Sequence, residues 1–79
     1  MELVELTEYI VGQLLIDVDF KVEKTEEDGV TMIKVLVPEE SMPIVIGKGG
    51  KIANSIRTII QALAYTKKLG RVRINIDSL

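Results

Sequence analysis

The residues best suited to chemistry in this chain lie together at Gly47-Lys48-Gly49-Gly50-Lys51. Three glycines in four residues strip a short stretch of backbone of side chains and open φ values closed to other residues. Met42, Ile44, Val45 and Ile46 precede this stretch, and Ile52, Ile56, Ile59 and Ile60 follow it at helical spacings. Gly47 and Gly50 then let one helix end and the next begin across a two-residue linker, with the backbone N–H groups of the second helix left open at its N-terminus. Those donors, the positive end of the helix dipole and the charges of Lys48 and Lys51 favour a phosphate. A lone glycine would read as a helix stop at a tight corner; three flanked by lysines favour anion binding. Two nucleotide-binding patterns fail on spacing, since GxxxxGK[ST] is absent and GxGxxG is matched from neither Gly47 nor Gly49.

Other chemistry is largely excluded. The chain has no cysteine and no histidine, which removes disulfides, thiolate nucleophiles and the usual zinc or haem ligand sets. No nucleophile–base pair can be assembled and no acid lies near the glycine stretch, so neither catalysis nor a cofactor is expected. The net charge of −2 with 28% charged residues disfavours a nucleic-acid partner at first sight, but its distribution reverses that reading. Residues 1–40 carry eleven acids and three bases, a local charge of −8; residues 41–79 carry seven bases and one acid, Asp77, a local charge of +6. Such asymmetry between halves points to an anionic partner for the basic half.

The elements that must hold the glycine stretch follow from periodicity. Seventy-nine residues, 47% of them hydrophobic, allow one small domain over 1–79. Leu3, Leu6, Ile10 and Leu14, thickened by Val11 and Leu15, predict an amphipathic helix from Leu3 to Ile16, with Glu2 and Glu5 facing the positive end of its dipole. Val18, Phe20 and Val22 alternate with Asp19, Lys21 and Glu23 as in a strand. Asp28-Gly29 supplies a turn, and the β-branched run Val30–Val37 reads as a central strand paired with the first in a hairpin. Pro38 ends it, and Glu39, Glu40 and Ser41 introduce a short helix that tolerates Pro43 in its first turn. A longer helix runs from Lys51 to about Thr66, closed by Lys67, Lys68 and Gly70. Val72, Ile74 and Ile76 then alternate with Arg71, Arg73, Asn75 and Asp77 as a third strand. The expected architecture is α+β in the order αββααβ. The two-helix connection makes strands two and three parallel neighbours in a three-stranded mixed sheet with helices packed on one face.

Val45-Ile46-Gly47-Lys48-Gly49-Gly50-Lys51-Ile52 resembles the signature of the KH domain, in which a GxxG loop between two helices clamps about four nucleotides of single-stranded RNA. The αββααβ order resembles the type II variant. The length and the stretch Val45 to Ile60, including Ile52-Ala53 and Ile56-Arg57-Thr58, are similar to the small bacterial single-KH proteins of the KhpA type. The resemblance spans essentially the whole chain; Pro43 departs from it, standing where relatives tend to carry glycine or another flexible residue. It implies that Gly47, Lys48, Gly49 and Gly50 hold the sugar-phosphate backbone and that Ile46 and Ile52 help floor the groove in which bases lie. Lys51 and Arg57 become flanking phosphate contacts on charge and position. It further implies an RNA chaperone or post-transcriptional regulator that pairs with a second, KhpB-like KH protein and influences cell-wall homeostasis and cell length.

The remaining surfaces read more plainly. Lys67 and Lys68 form a solvated last turn, Arg71 and Arg73 share one wet sheet face, and Ile56 is core. Met32, Lys34 and Leu36 face away from Ile33, Val35 and Val37, which suggests a partner surface unless another part of the chain covers them. With Tyr9, Phe20 and Tyr65 as the only aromatics, stacking platforms of the RRM or cold-shock kind are not expected, and RNA binding should be weak with modest sequence preference. The alternative function is a protein-interaction or dimerisation module, forming a homodimer or a heterodimer, with little RNA binding of its own. The N-terminal apolar residues are interrupted by Glu2, Glu5 and Glu8, with no basic leader and no membrane-length run, so a soluble cytoplasmic protein without a membrane partner is expected.

Overall fold

The computed structural model describes residues 2–79, and its elements begin and end where the sequence can cap, turn or stop. Helix α1 (Leu3–Leu14) is capped by acids rather than merely complemented by them. The Glu2 carboxylate accepts from the Val4 N–H at 2.9 Å, and the Glu5 carboxylate accepts from the Glu2 N–H at 3.4 Å, which satisfies donors the helix itself cannot. Thr7 is fully buried and donates its hydroxyl to the Leu3 carbonyl at 2.8 Å. The apolar pattern continues to Ile16, but the helix stops two residues earlier. Asp17 takes a φ of 60° and redirects the chain, so that Val18 and Phe20 pack on the core while Ile16 is left 77% exposed.

Strands β1 (Lys21–Glu27) and β2 (Val30–Val37) form the hairpin, displaced along the sequence from the expected Val18–Glu23 frame. Both ends have a physical cause. The ladder pairs Lys21 with Leu36, so the residue facing Asp19 would be Pro38, which has no N–H to donate. At the other end Asp28 and Gly29 adopt φ values of 51° and 76°. Positive φ at both central residues gives a two-residue hairpin turn whose twist matches that of the strands, and pairing therefore continues to Glu27–Val30.

Pro38 leads into a single 3-10 turn at Glu39–Ser41 and then helix α2 (Met42–Ile46), with Pro43 in its first turn. A second 3-10 turn, Lys48–Gly50, joins it to helix α3 (Lys51–Thr66), and strand β3 (Arg71–Ser78) closes the fold. The sheet order is β1-β2-β3, with β1 antiparallel and β3 parallel to β2. The expected αββααβ mixed sheet is thus the observed one.

Ile33, Val35 and Val37 of β2 are fully buried, and Val72 and Ile74 of β3 share their face. Val11, Val45, Ile56 and Ile60 reach down onto them from the helices. Each such side chain contributes about 1.5–3 kcal/mol by leaving water, which fixes α3 firmly across the sheet. The opposite face, with Met32, Lys34 and Leu36 half-buried and Arg71, Arg73 and Asn75 exposed, has no helix over it. Because β3 returns from the end of α3, helix and strand run in opposite directions side by side, and the glycine turn lies at one end of the seam between them.

Candidate nucleic-acid interface

The turn between α2 and α3 depends on glycine at three positions for two different reasons. Gly47, Gly49 and Gly50 have φ values of 76°, 66° and 78°, a region that L side chains enter only with strain. Gly47 ends α2, with its N–H on the Pro43 carbonyl at 2.9 Å, and the Gly50 N–H closes the turn on the Gly47 carbonyl at 3.1 Å. A Cβ on Gly47 would lie 2.6 Å from Cγ1 of Ile52, so this position also has no room. In front of Gly49 nothing lies within 4 Å, and in front of Gly50 the nearest atom is Nδ2 of Asn54 at 4.0 Å. The outer side of the turn is open space bordered by backbone. Gly50 is the N-cap of α3 and offers no side-chain acceptor; the Lys51 N–H closes on the Lys48 carbonyl, and the positive end of the α3 dipole faces the open side of the turn.

Charge agrees with geometry. Lys48 and Lys51 are exposed, and among the described residues the only ion pair is Lys24–Glu26 at 3.8 Å, in the hairpin. Ile46 and Ile52 are half-buried against the core directly behind the turn. Seven of the eight residues singled out from sequence, Ile46 to Ile52, are therefore brought together.

Arg57 is placed elsewhere. It sits two turns into α3, about 10 Å along the helix from Gly50, where Nε donates to the Ile74 carbonyl at 3.4 Å and Nη1 donates to Oδ1 of Asn54 at 3.0 Å. One turn further, Nε2 of Gln61 donates to the Val72 carbonyl at 3.4 Å. Strand β3 is an edge strand, so these two side chains occupy carbonyls that the sheet leaves unpaired. Between helix and strand runs a shallow groove, first a hollow of about 300 Å³ lined by Arg57, Gln61, Arg73 and Ile74. It continues into one of about 340 Å³ lined by Gln61, Ala64, Tyr65 and Gly70–Arg73. No carboxylate lines either hollow.

Gln61, Tyr65, Arg71 and Arg73 were not expected at the site from sequence. The signal that could have found them is the i, i+4, i+8 spacing of Arg57, Gln61 and Tyr65, which puts three non-core side chains on one ridge of the helix. Arg71 and Arg73 do lie on the wet sheet face, as expected, and at the edge strand that face also borders the groove.

Comparison with known proteins bears on the same fold and loop. The structure is similar to part of Era from Aquifex aeolicus bound to GDP and aluminium fluoride, with a TM-score of 0.61 and 22% identity over 98% of this chain and 30% of that one. It is also similar to part of Era in complex with MgGDPNP and nucleotides 1506–1542 of 16S ribosomal RNA, with a TM-score of 0.64, 22% identity and the same coverage. At that identity the likeness is one of fold, and this chain spans 30% of the length of those proteins. No curated protein sequence matches. The model of the KhpA/KhpB KH domain matches residues 4–76, taking in the glycine turn, both helices beside it and most of the groove strand: the chain belongs to the KhpA/KhpB KH-domain family.

Proposed function

We propose that this chain binds single-stranded RNA, with the sugar-phosphate backbone held at Gly47-Lys48-Gly49-Gly50 and the strand continuing along the α3/β3 groove. The observation that carries this reading is the turn itself: three left-handed glycines, an N-cap without a side-chain acceptor, and two lysines outside any ion pair among the described residues. A phosphate there meets backbone donors at close range, with Lys48 and Lys51 beside it. Arg57 and Arg73 supply charge further along, and Ile46 and Ile52 form the apolar backing. The RNA held in the Era complex is consistent with this use of the fold.

Binding that leans on backbone donors and a few cations is weak and sequence-tolerant, which suits an RNA chaperone or post-transcriptional regulator. Action in the cytoplasm together with a KhpB-like protein, and a part in cell-wall homeostasis and cell length, are proposed from family membership. The test is the double substitution Lys48→Asp with Gly49→Asp. Lys48 is exposed and the space in front of Gly49 is open, and Asp enters left-handed φ more readily than most residues, so the fold should survive by circular dichroism. RNA crosslinking should fall at least about tenfold, the equivalent of about 1.4 kcal/mol. A folded variant with undiminished crosslinking would show the loop assignment to be wrong.

One observation favours a protein-facing role alongside this. The flank of α3 turned away from the groove carries Ser55, Ile59, Ala62 and Thr66, without a charge and with Ile59 47% exposed. Self-association or pairing with a second KH protein through this flank would leave the groove free and double a weak site through effective concentration. Light scattering on the chain and on Ile59→Asp measures it: a dimer lost in the variant supports this role, and a monomer in both removes it.

A further inference from the structure

Tyr65 is the most exposed large apolar side chain among the described residues, at 86%, and the surroundings of its ring are unusual. It continues the groove ridge one turn beyond Gln61. It lines the hollow of about 340 Å³ together with Gln61, Arg71 and Arg73. It also lines a depression together with Thr66 and Lys68. Gly70 borders both, and nothing lies within 4 Å of where its Cβ would be, so no side chain intrudes from the turn. Tyr65 thus borders two open hollows, one lined by arginines and the other by a lysine, with no carboxylate in either. Among the described residues Lys68, Arg71 and Arg73 form no ion pair. A tyrosine here adds little to the core, and it is a poorer helix former than the alanine or lysine an ordinary exposed position favours.

We propose that Tyr65 is a stacking subsite for one nucleobase of single-stranded RNA at the end of the groove remote from the glycine turn, with Arg71, Arg73 or Lys68 neutralising the adjoining phosphate. This rests on the RNA-binding reading and extends it. An aromatic face accepts any base, and a neighbouring guanidinium strengthens the stack. Tyr65 lies fifteen residues beyond Gly50, about 22 Å along the helix. The glycine turn of a KH domain engages about four nucleotides, so the subsite serves a strand longer than the turn alone requires.

The experiment compares fluorescein-labelled oligouridylates of four and eight nucleotides by anisotropy on the full chain, with Tyr65→Ala, Tyr65→Phe, Tyr65→Leu and the Lys48→Asp, Gly49→Asp double variant. Tyr65→Ala should weaken the eight-nucleotide strand about 5- to 150-fold, the range found for stacked bases, and change the four-nucleotide strand less than about twofold. Phe should retain the affinity and Leu should not. Tyr65→Trp places a single indole in a chain that has none, and unlabelled eight-nucleotide RNA should quench it. Equal binding of the longer strand by wild type and Tyr65→Ala, or by Leu and Phe, would overturn the stacking subsite while leaving the loop reading intact, provided the double variant still loses binding. If wild type and the double variant bind both strands equally, or bind neither, the loop reading and the subsite fall together.

Discussion

Replacing Gly47 by alanine tests whether the turn is built as described, because two separable penalties meet at that position. Its φ of 76° and ψ of 172° fall in a region essentially reserved for glycine, where a side chain costs about 1–3 kcal/mol. The added Cβ would also stand 2.6 Å from Cγ1 and 2.9 Å from Cβ of Ile52, an overpacking whose usual cost is about 1–3 kcal/mol. Together these give roughly 4 kcal/mol, and at 4–8 °C per kcal/mol for a domain of this size the melting midpoint should fall by about 15–30 °C. Gly49→Ala meets nothing within 4 Å and should cost only the left-handed backbone, about 1–2 kcal/mol. Trimming the obstacle separates part of the terms: Ile52→Ala removes Cγ1 and Cδ1 but keeps Cβ, so in that background Gly47→Ala should recover about 1 kcal/mol of the overlap while the contact with Cβ and the torsional part persist, a coupling that a double-mutant cycle reads directly. Urea unfolding followed by circular dichroism is the assay. Equal losses for Gly47→Ala and Gly49→Ala, or strict additivity with Ile52→Ala, would refute the close approach of Gly47 to the first turn of α3.

Other expectations concern the core and the strength of binding. Ile60 is fully buried between α3 and the sheet, so Ile60→Ala should lower unfolding free energy by about 2–5 kcal/mol, measurable in the same urea series. Thr7 is also fully buried, but its hydroxyl serves a helix carbonyl that already has its backbone partner, so Thr7→Val should shift stability by less than about 1 kcal/mol. For RNA, two to four phosphates engaged at about −0.7 per phosphate give a log–log salt slope between about −1.4 and −2.8, and Lys48→Ala should flatten it by about 0.7.

Much of this arrangement was legible because strong local signals coincide with the tertiary demand. The apolar spacing of Ile52, Ile56 and Ile60 and the glycines at 47, 49 and 50 specify a helix and a turn that packing then uses without change. The β1 frame was not legible, since its limits depend on what β2 can pair with. Lys24 and Glu26 belong to the ladder although nothing in their polarity marks a strand, and Val18 and Phe20 alternate correctly yet stand opposite the end of β2. The end of α1 was missed because the left-handed turn at Asp17 overrides an apolar periodicity that continues to Ile16. Arg57 was assigned on charge to the neighbourhood of the loop; its hydrogen bond to Ile74, seventeen residues away, exists only once β3 lies beside α3. The same holds for Gln61, whose carbonyl partner, Val72, lies on β3, and for the hollow that Tyr65 shares with Arg71 and Arg73.

Titrating the ¹⁵N-labelled chain with single-stranded RNA and following its amide resonances tests the central claim most directly. The largest shifts should appear at Gly47, Gly49, Gly50 and Lys51, then at Arg57, Gln61 and Val72 to Ile74. Shifts confined to the open sheet face around Met32 and Leu36, or to the acidic hairpin at Glu23 to Asp28, would contradict it.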